Sequence, residues 1–311
     1  MQLVVTGATG FIASRLIGQA LSKGYQVIAL ARDPDRVTWR KSSRLQIEKW
    51  SIGDPLPAVT QADAVFHLAA YIPADFSDPR QAARCFEVNT NGALRFAMDA
   101  ASQGVKRFVF FGSGQVYTPA SESASETSAA FPVHRASYYL ASKLSAEICL
   151  LAFGTANTMP VTVLRLASVY GPGMHGSGMI PTFIRTLGSG RPVAIRDGGR
   201  YRVDLVYVDD VISLALAAVE KEQAGIFNAG SGQACRSLEA AEIIADALGA
   251  DPDLVNVEGA RSDETMMGFA ALNVAKAVDQ LGYIPRSFRQ GIEAWKAETG
   301  FSDFQSASSQ E

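Results

Sequence analysis

The chain has 311 residues, enough for one large domain or two ordinary ones. Its 48% hydrophobic and 19% charged residues are typical of a globular protein, and a net charge of -3 gives no reason to expect a nucleic-acid or membrane partner. Three widely spaced cysteines and three separated histidines predict no disulfide framework and no metal site. Without a signal-peptide pattern or an apolar run of about 20 residues, we expect a cytoplasmic protein.

Short apolar runs alternate with helical patterns through the first two-thirds of the chain. Gln2 to Thr6, rich in branched residues and followed by glycine, predicts a buried strand, and apolar residues at helical spacing predict the helix after it. Further strands are predicted at Val27 to Leu30, Ala64 to Leu68, Val105 to Phe111 and Val161 to Leu166. This alternation predicts an α/β fold with a parallel sheet covered on both faces, because parallel neighbours need crossover connections.

The pattern changes after residue 170. Residues 171 to 203 predict glycine-rich loops with one short helix around Thr182 to Leu187, and Val206 to Val219 predicts a strand followed by a helix. Helices are also predicted near 237–249 and 273–281. We therefore expect a main domain of 1–170 plus about 204–228, a smaller lobe of 171–203 and 229–300, and a disordered tail of 301–311.

A glycine-rich loop joins the first strand to the first helix. Glycine lets the backbone turn sharply out of a strand and approach a pyrophosphate closely enough for amide groups to donate. The amino terminus of the following helix then faces the negative charge with its own donors and its dipole. The loop predicts a dinucleotide site that includes Gly7, Thr9, Gly10, Phe11 and Ile12.

The end of the second strand bears on the choice of nicotinamide cofactor. An acidic residue there binds the ribose 2′-hydroxyl of NAD, whereas a nearby arginine suits the 2′-phosphate of NADP. Ala31 occupies the usual acidic position and Arg32 follows it, while Asp33 leaves NAD open. A guanidinium binds phosphate through two N–H groups and stays charged. We predict NADP(H), with NAD as the alternative.

Tyr139 and Lys143 begin a predicted amphipathic helix. A separation of four residues places the phenol and the ammonium on the same helical face. A tyrosine has a reference pKa of about 10, and both a lysine and an oxidised nicotinamide favour its phenolate, so Tyr139 could exchange a proton with a substrate hydroxyl or ketone. Ser113 leaves the end of the preceding strand, where its hydroxyl could hold the reacting oxygen.

Together these motifs resemble the extended short-chain dehydrogenases/reductases, the NAD(P)-dependent epimerase/dehydratase family. The resemblance runs from residue 2 to about 296 and includes the glycine loop, Ser113, Tyr139 with Lys143, and the following runs: His67-Leu68-Ala69-Ala70, Val88-Asn89-Thr90-Asn91-Gly92, Val169-Tyr170-Gly171-Pro172 and Val206-Tyr207-Val208-Asp209-Asp210. It implies a Rossmann-type doubly wound parallel sheet with a smaller C-terminal substrate-binding lobe.

The resemblance also implies roles for individual residues. Tyr139 would be the acid/base, Lys143 would lower its pKa and hold the nicotinamide ribose, and Ser113 would bind the substrate oxygen. Other expected cofactor-binding residues are Arg32, Asp54, Leu68, Ala69, Ala70, Asn89, Leu166 and Ser168. Family members are commonly dimers through the helices that begin here near Asn91 and Ser137, so a homodimer is expected.

The reaction is less sharply defined by the sequence. Related sugar 4,6-dehydratases carry an acidic pair where this chain has Gly114 and Gln115, so that reaction is not expected and these two are candidate substrate-binding residues. Nucleotide-sugar epimerases usually have Asn at the position of Ser168 and an arginine at that of Val203. Positive charge for a diphosphate could instead come from Arg200, Arg202 and Arg261, of which Arg202 and Arg261 are the candidate substrate-binding residues.

Three hypotheses follow for the function. The preferred one is a nucleotide-sugar epimerase or a related sugar-modifying enzyme. The alternative is an NADPH-dependent carbonyl reductase or hydroxysteroid-type dehydrogenase, whose members often have a Val-Asp pair like Val203-Asp204. The third is a non-catalytic cofactor-sensing regulator, which would normally have lost Ser113, Tyr139 or Lys143, and all three are present.

Overall fold

A computed structural model of the chain describes residues 1–39, 42–76, 78–118, 123–131, 137–196, 198–259 and 270–302. Among them, seven parallel strands form the central sheet: β1 (Gln2–Thr6), β2 (Gln26–Ala31), β3 (Leu45–Lys49), β4 (Ala64–His67), β5 (Phe108–Ser113), β6 (Val161–Leu166) and β10 (Gly225–Ala229). Their order is β10-β6-β5-β4-β1-β2-β3. The order reverses between β1 and β4, and ligands of such sheets bind beyond the carboxyl ends of the strands at this point.

Helices cover both faces of this sheet. Alternate residues of β1 face opposite sides: Leu3 and Val5 pack with α1 (Phe11–Ser22), α6 (Val208–Glu220) and α8 (Ala275–Leu281). Val4 instead faces the core formed with α3 (Ala93–Ser102) and α4 (Tyr138–Asn157). Before α3 run a short helix, α2 (Ala82–Cys85), and a π-helical segment, Phe86–Gly92. Burial on both faces explains why these strands are continuous apolar runs.

A second hydrophobic core lies outside the main sheet. It is formed by β7 (Ser168–Tyr170), β8 (Val193–Ile195), β9 (Arg202–Tyr207), β11 (Ala234–Arg236), β12 (Val255–Val257), α5 (Met179–Gly188), α7 (Ser237–Leu248) and α9 (Phe288–Thr299). The fully buried Trp295 anchors α9 in this core. This separate core supports a smaller lobe within 171–203 and 229–300, but α8 packs in the main core, and the exact bounds stay a prediction. No helix in the described part of the chain is both long and apolar enough to cross a bilayer.

The predicted fold class is confirmed, with corrections to single elements. The strand expected from Val105 begins at Phe108, because the amides of Gly104 and Val105 still close the end of α3. Residues 171 to 203 are not only loops around one helix, since they contain β8 and the start of β9. β3 and α9 were not predicted, β3 because this edge strand is only partly buried. Residues 303–311 of the expected tail lie outside the described residues.

Candidate active site

The glycine loop begins where β1 ends. Gly7 has a φ of +67°, and a Cβ built on it would lie 3.0 Å from the amide nitrogen of Ala69. The amide of Gly10 donates to the carbonyl of Gly7 at 2.8 Å, which closes the turn before α1 begins at Phe11. Thr9 and Gly10 are exposed, while Phe11 and Ile12 are half-buried. A side chain at position 7 would fill this cradle, so the loop fits a pyrophosphate that must approach the backbone closely.

Thr6 holds the loop after β4 beside the glycine loop. Its Oγ1 accepts hydrogen bonds from the amides of Leu68 (3.1 Å) and Ala69 (3.0 Å) and lies 3.1 Å from Nδ1 of His67. Burial lowers the pKa of His67 to about 3, so the ring is neutral and serves packing. The predicted Leu68 and Ala69 therefore lie next to Gly7, and the exposed Ala70 follows them in the chain.

The ends of β2 and β3 carry the other predicted cofactor residues. Ala31, the last residue of β2, is buried, and Arg32 directly after it is exposed. The Asp33 carboxylate accepts from the amide of Asp35 at 3.1 Å and caps a short turn. Asp54 is exposed in the turn after β3, where its carboxylate accepts from the amide of Ser51 at 2.9 Å. Because β1, β2 and β3 are parallel neighbours, Arg32 and Asp54 lie at the same end of the sheet as Gly7, beyond the carboxyl ends of the strands.

The predicted catalytic residues meet at the ends of β5 and β6. One pocket is lined by Ser113, Tyr139, Leu166 and Ser168 together with Phe76, whose ring contacts Tyr139 edge-on at 5.6 Å between centroids. Ser137 caps α4 by accepting from the amide of Leu140 at 3.2 Å, and this fixes the start of the helix. The Oγ of Ser113 accepts from the amide of Gln115 at 3.2 Å.

Lys143 lies one helical turn after Tyr139 and is buried. Its ammonium lies 4.0 Å from the centroid of the Phe110 ring. Burial lowers the pKa of Lys143 to about 8, while Glu147 acts to raise it. Burial also raises the pKa of Tyr139, with a smaller contribution from Cys85. Burial therefore raises the Tyr139 pKa in this structure, and the lowering by Lys143 that the resemblance implies stays a prediction.

Asn89 supports the catalytic helix. Asn89 lies in the π-helical segment. Its Oδ1 accepts a hydrogen bond from the amide of Tyr71 at 2.7 Å, and its Nδ2 donates one to Oγ of Ser142 at 3.0 Å. Ser142 in turn donates to the carbonyl of Tyr139 at 2.8 Å. Thr90 donates to the carbonyl of Ser142 at 2.8 Å. Asn89 is therefore tied to α4, and its expected support of the cofactor region stays a prediction.

A second pocket adjoins the first and shares Gln115, Leu166, Ala167 and Ser168 with it. The other residues that line it are Gly114, Tyr117, Thr118, Ala124, Tyr201, Val203, Asp204, Ala270 and Leu272. In the part of the chain that the structure describes, Tyr201 and Val203 line this pocket, whereas Arg202 between them does not. Arg261, the other predicted substrate-binding arginine, lies outside the described residues.

Sequence reasoning missed several residues of the site. Phe76 and Leu272 come from loops without any motif. The only sequence signal for the buried Asp204 is its place in the Val203-Asp204 pair. Glu147 follows Lys143 by four residues, and this spacing on one helical face was the only signal in the sequence that could have found it.

Comparison with known proteins agrees with this geometry. The model of the NAD-dependent epimerase/dehydratase family matches residues 3–230. The UDP-glucose 4-epimerase of Mycolicibacterium smegmatis is 32% identical over 310 residues, which are 94% of this chain and 96% of that protein. Among solved structures, the UDP-glucose 4-epimerase of Thermotoga maritima with UDP-glucose is similar at a TM-score of 0.82 and 27% identity, over 97% of this chain and 99% of that one. MoeE5 in complex with UDP-glucose and NAD has a TM-score of 0.80 and 28% identity, over 97% of this chain and 99% of that one.

The chain belongs to the NAD-dependent epimerase/dehydratase family, and its identification as an enzyme of the extended short-chain dehydrogenase/reductase type is confirmed.

Proposed function

We propose that the chain is a nucleotide-sugar epimerase or a closely related sugar-modifying enzyme that acts at a hydroxyl-bearing carbon. The observation that carries this proposal is the shared pocket of Ser113 and Tyr139, with Lys143 one turn further along the same helix. The Mycolicibacterium smegmatis relative, a UDP-glucose 4-epimerase, supports the substrate class, as does the UDP-glucose in the Thermotoga maritima structure. These similarities favour sugar chemistry over the carbonyl reductase alternative.

Each side chain has a distinct part in the proposed reaction. Tyr139 exchanges a proton with the reacting oxygen, and the Ser113 hydroxyl holds that oxygen in place. Lys143 supplies positive charge beside the phenol and favours its ionised form. When bound, the nicotinamide supplies the hydride chemistry. Gly114 and Gln115 carry no carboxyl group, so expulsion of water has no acid or base at these two positions.

The test is turnover of nucleotide sugars by the purified protein and by Tyr139→Phe. We expect the substitution to lower kcat by about 10²- to 10⁴-fold because it removes the proton donor, while the cofactor Kd changes little. A thermal-shift screen of nucleotide sugars and small ketones identifies the substrate class, since a bound ligand raises the melting temperature. Shifts confined to uncharged ketones would favour the carbonyl reductase instead.

For the cofactor we infer NADP(H), with NAD as the alternative. The buried side chain of Ala31 has no polar atom that could bind a ribose hydroxyl, and the Asp33 carboxylate caps a turn, whereas Arg32 is exposed beside them. The solved structure of MoeE5 is a complex with UDP-glucose and NAD, which supports the alternative. Arg32→Ala should weaken NADP binding about tenfold and leave NAD binding nearly unchanged, because it removes a charged hydrogen bond. Tighter binding of NAD by the unaltered protein would contradict this inference.

We also propose a homodimer through α3 and α4. Met98 on α3 and Ile148 on α4 are 52% and 62% exposed, and exposed Ala141 and Ala152 extend the apolar stripe of α4. Light scattering coupled to size-exclusion chromatography should give a dimer, and Ile148→Glu should give a monomer. A monomeric unaltered protein would contradict the proposal. The cytoplasmic location stays a prediction from the sequence.

A further inference from the structure

One face of α4 carries a polar side chain at every fourth residue: Tyr139, Lys143 and Glu147. Glu147 is 1% exposed and Lys143 is 4% exposed. The Glu147 Oε2 accepts from Nε and Nη2 of Arg165 on β6, both at 2.9 Å. A charge so deeply buried is costly unless it is paired, and here the carboxylate is paired with the buried Arg165 and shares a helical face with the buried Lys143.

Glu147 also contacts the strand that ends at Ser113. A Cβ built on Gly112 would overlap the Oε1 of Glu147, so only glycine leaves room for the carboxylate at this point. Gly112 directly precedes Ser113 at the end of β5. The side chain of Glu147 therefore extends from α4, the helix that carries Tyr139, to the strand that presents Ser113.

Few neighbouring groups stabilise the protonated form of Lys143. In the described part of the chain, the titratable groups around this face of α4 are His67, Cys85, Tyr117, Arg165 and Glu147. His67 is neutral because burial lowers its pKa to about 3, and Arg165 is a second cation. Of this group, Glu147 is the carboxylate that offsets the burial of Lys143.

We propose that Glu147 is a positioning residue of this site, which holds Lys143 in its charged form and fixes α4 against the strand that ends at Ser113. The proposal rests on the proposed function, because it takes Lys143 and Tyr139 as the groups that act on substrate. When Lys143 loses its proton, the phenol loses its nearby cation. The rate should therefore fall as pH rises through the pKa of Lys143.

The test is Glu147→Gln, which keeps the shape and an acceptor oxygen but removes the charge. We expect the basic limb of kcat against pH to move down by about one pH unit, since a nearby opposite charge shifts a pKa by one unit or more. Titration of ¹³C-labelled lysines by NMR, assigned with Lys143→Ala, should show the same downward shift without any substrate. The cofactor Kd should stay within a few-fold of that of the unaltered protein.

Two further variants separate charge from packing. Glu147→Asp keeps the charge and should keep the basic limb in place while it lowers kcat, and it decides the matter if Glu147→Gln does not fold. Asp210→Asn is the matched control, because Asp210 is a buried carboxylate that pairs with Arg286 away from both pockets of the site. It should lower the melting temperature and leave the basic limb unmoved.

The outcomes distinguish this inference from the proposed function. If Glu147→Gln leaves both the basic limb and the Lys143 titration where they are in the unaltered protein, the inference is overturned. The same holds if Glu147→Asp moves the limb by a full unit. If Tyr139→Phe keeps full turnover, the proposed function fails instead, and the NMR titration still decides whether Glu147 controls the charge of Lys143.

Discussion

The proposed cofactor half of the site, around Gly7, and the proposed substrate half, around the second pocket, are built in different ways. On the cofactor side the backbone makes the shape: Gly7 adopts a positive φ, approaches Ala69 closely and leads into the first turn of α1. On the substrate side, two buried polar side chains, Asp204 and Asn228, join segments that are far apart in the sequence. A backbone-built site leaves a short contiguous motif, whereas a site held by side chains leaves its residues scattered along the chain.

Asp204 and Asn228 hold the walls of the second pocket. The Oδ1 of Asp204 accepts from the amide and the hydroxyl of Ser231 at 2.7 and 2.6 Å, and its Oδ2 accepts from the amide of Leu272 at 2.9 Å. Asn228 accepts from the hydroxyl of Tyr117 at 2.7 Å and donates to the carbonyls of Ala124 and Asn273. Five segments are thereby fixed around the pocket by two side chains.

The largest effect in this comparison is expected at Gly7. In Gly7→Ala the new methyl group would lie 3.0 Å from the Ala69 amide nitrogen, in a backbone conformation that costs alanine about 1–2 kcal/mol. The turn must shift, so the cofactor Kd, measured by calorimetry, should rise by about 100-fold, or about 2.7 kcal/mol. The apolar core of the substrate side should be unaffected.

Gly24 provides the matched control for this prediction. It also has a positive φ, +82°, but a Cβ built on it would meet no atom within 4 Å. Gly24→Ala should therefore lose stability through backbone strain alone and keep the cofactor Kd of the unaltered protein. Equal loss of affinity in both variants would mean that strain, and not the approach to Ala69, explains the effect.

On the substrate side, Asp204→Asn should lower the free energy of unfolding by about 2–3 kcal/mol, because an amide nitrogen replaces one buried acceptor oxygen. The change should raise KM for substrate while the cofactor Kd stays constant, since the glycine loop is untouched. Denaturant titration and steady-state kinetics measure the two effects. Asp246→Asn, at an exposed ion pair with Arg289, should cost less than about 1 kcal/mol. A cofactor Kd that rises with KM would contradict the separation of the two halves.

The same difference explains how far the sequence could be interpreted. The run from Gln2 to Ile12 predicts both its structure and its ligand, because each step is local: a branched strand, a glycine turn and a helix start. Tyr139 and Lys143 are four residues apart and share a helix face. The bonds of Asp204 to Ser231 and Leu272 span 27 and 68 residues, and no local pattern encodes them. Arg202 is predicted from its charge, but the pocket is instead lined by Tyr201 and Val203, its neighbours on either side in the sequence.

The smallest effect, on the pH dependence of stability, is expected at His67, which is hydrogen-bonded to Thr6 behind the cofactor half. Burial lowers its pKa from 6.5 to about 3, so the folded protein resists a proton that the unfolded chain accepts. The stability that the neutral ring contributes is therefore complete above pH 6.5 and is lost as pH falls towards 3. The unaltered protein should lose about 1–2 kcal/mol from this group between pH 6.5 and 5, because each pH unit contributes at most about 1.4 kcal/mol.

His67→Asn keeps a polar partner for Thr6 and should flatten this decline, whereas His175→Asn, at an exposed position, should not. Equal slopes in all three proteins, measured by chemical denaturation across this range, would mean that the ring takes up its proton in the folded state, and the support of the Leu68–Ala70 segment by Thr6 would then depend on pH.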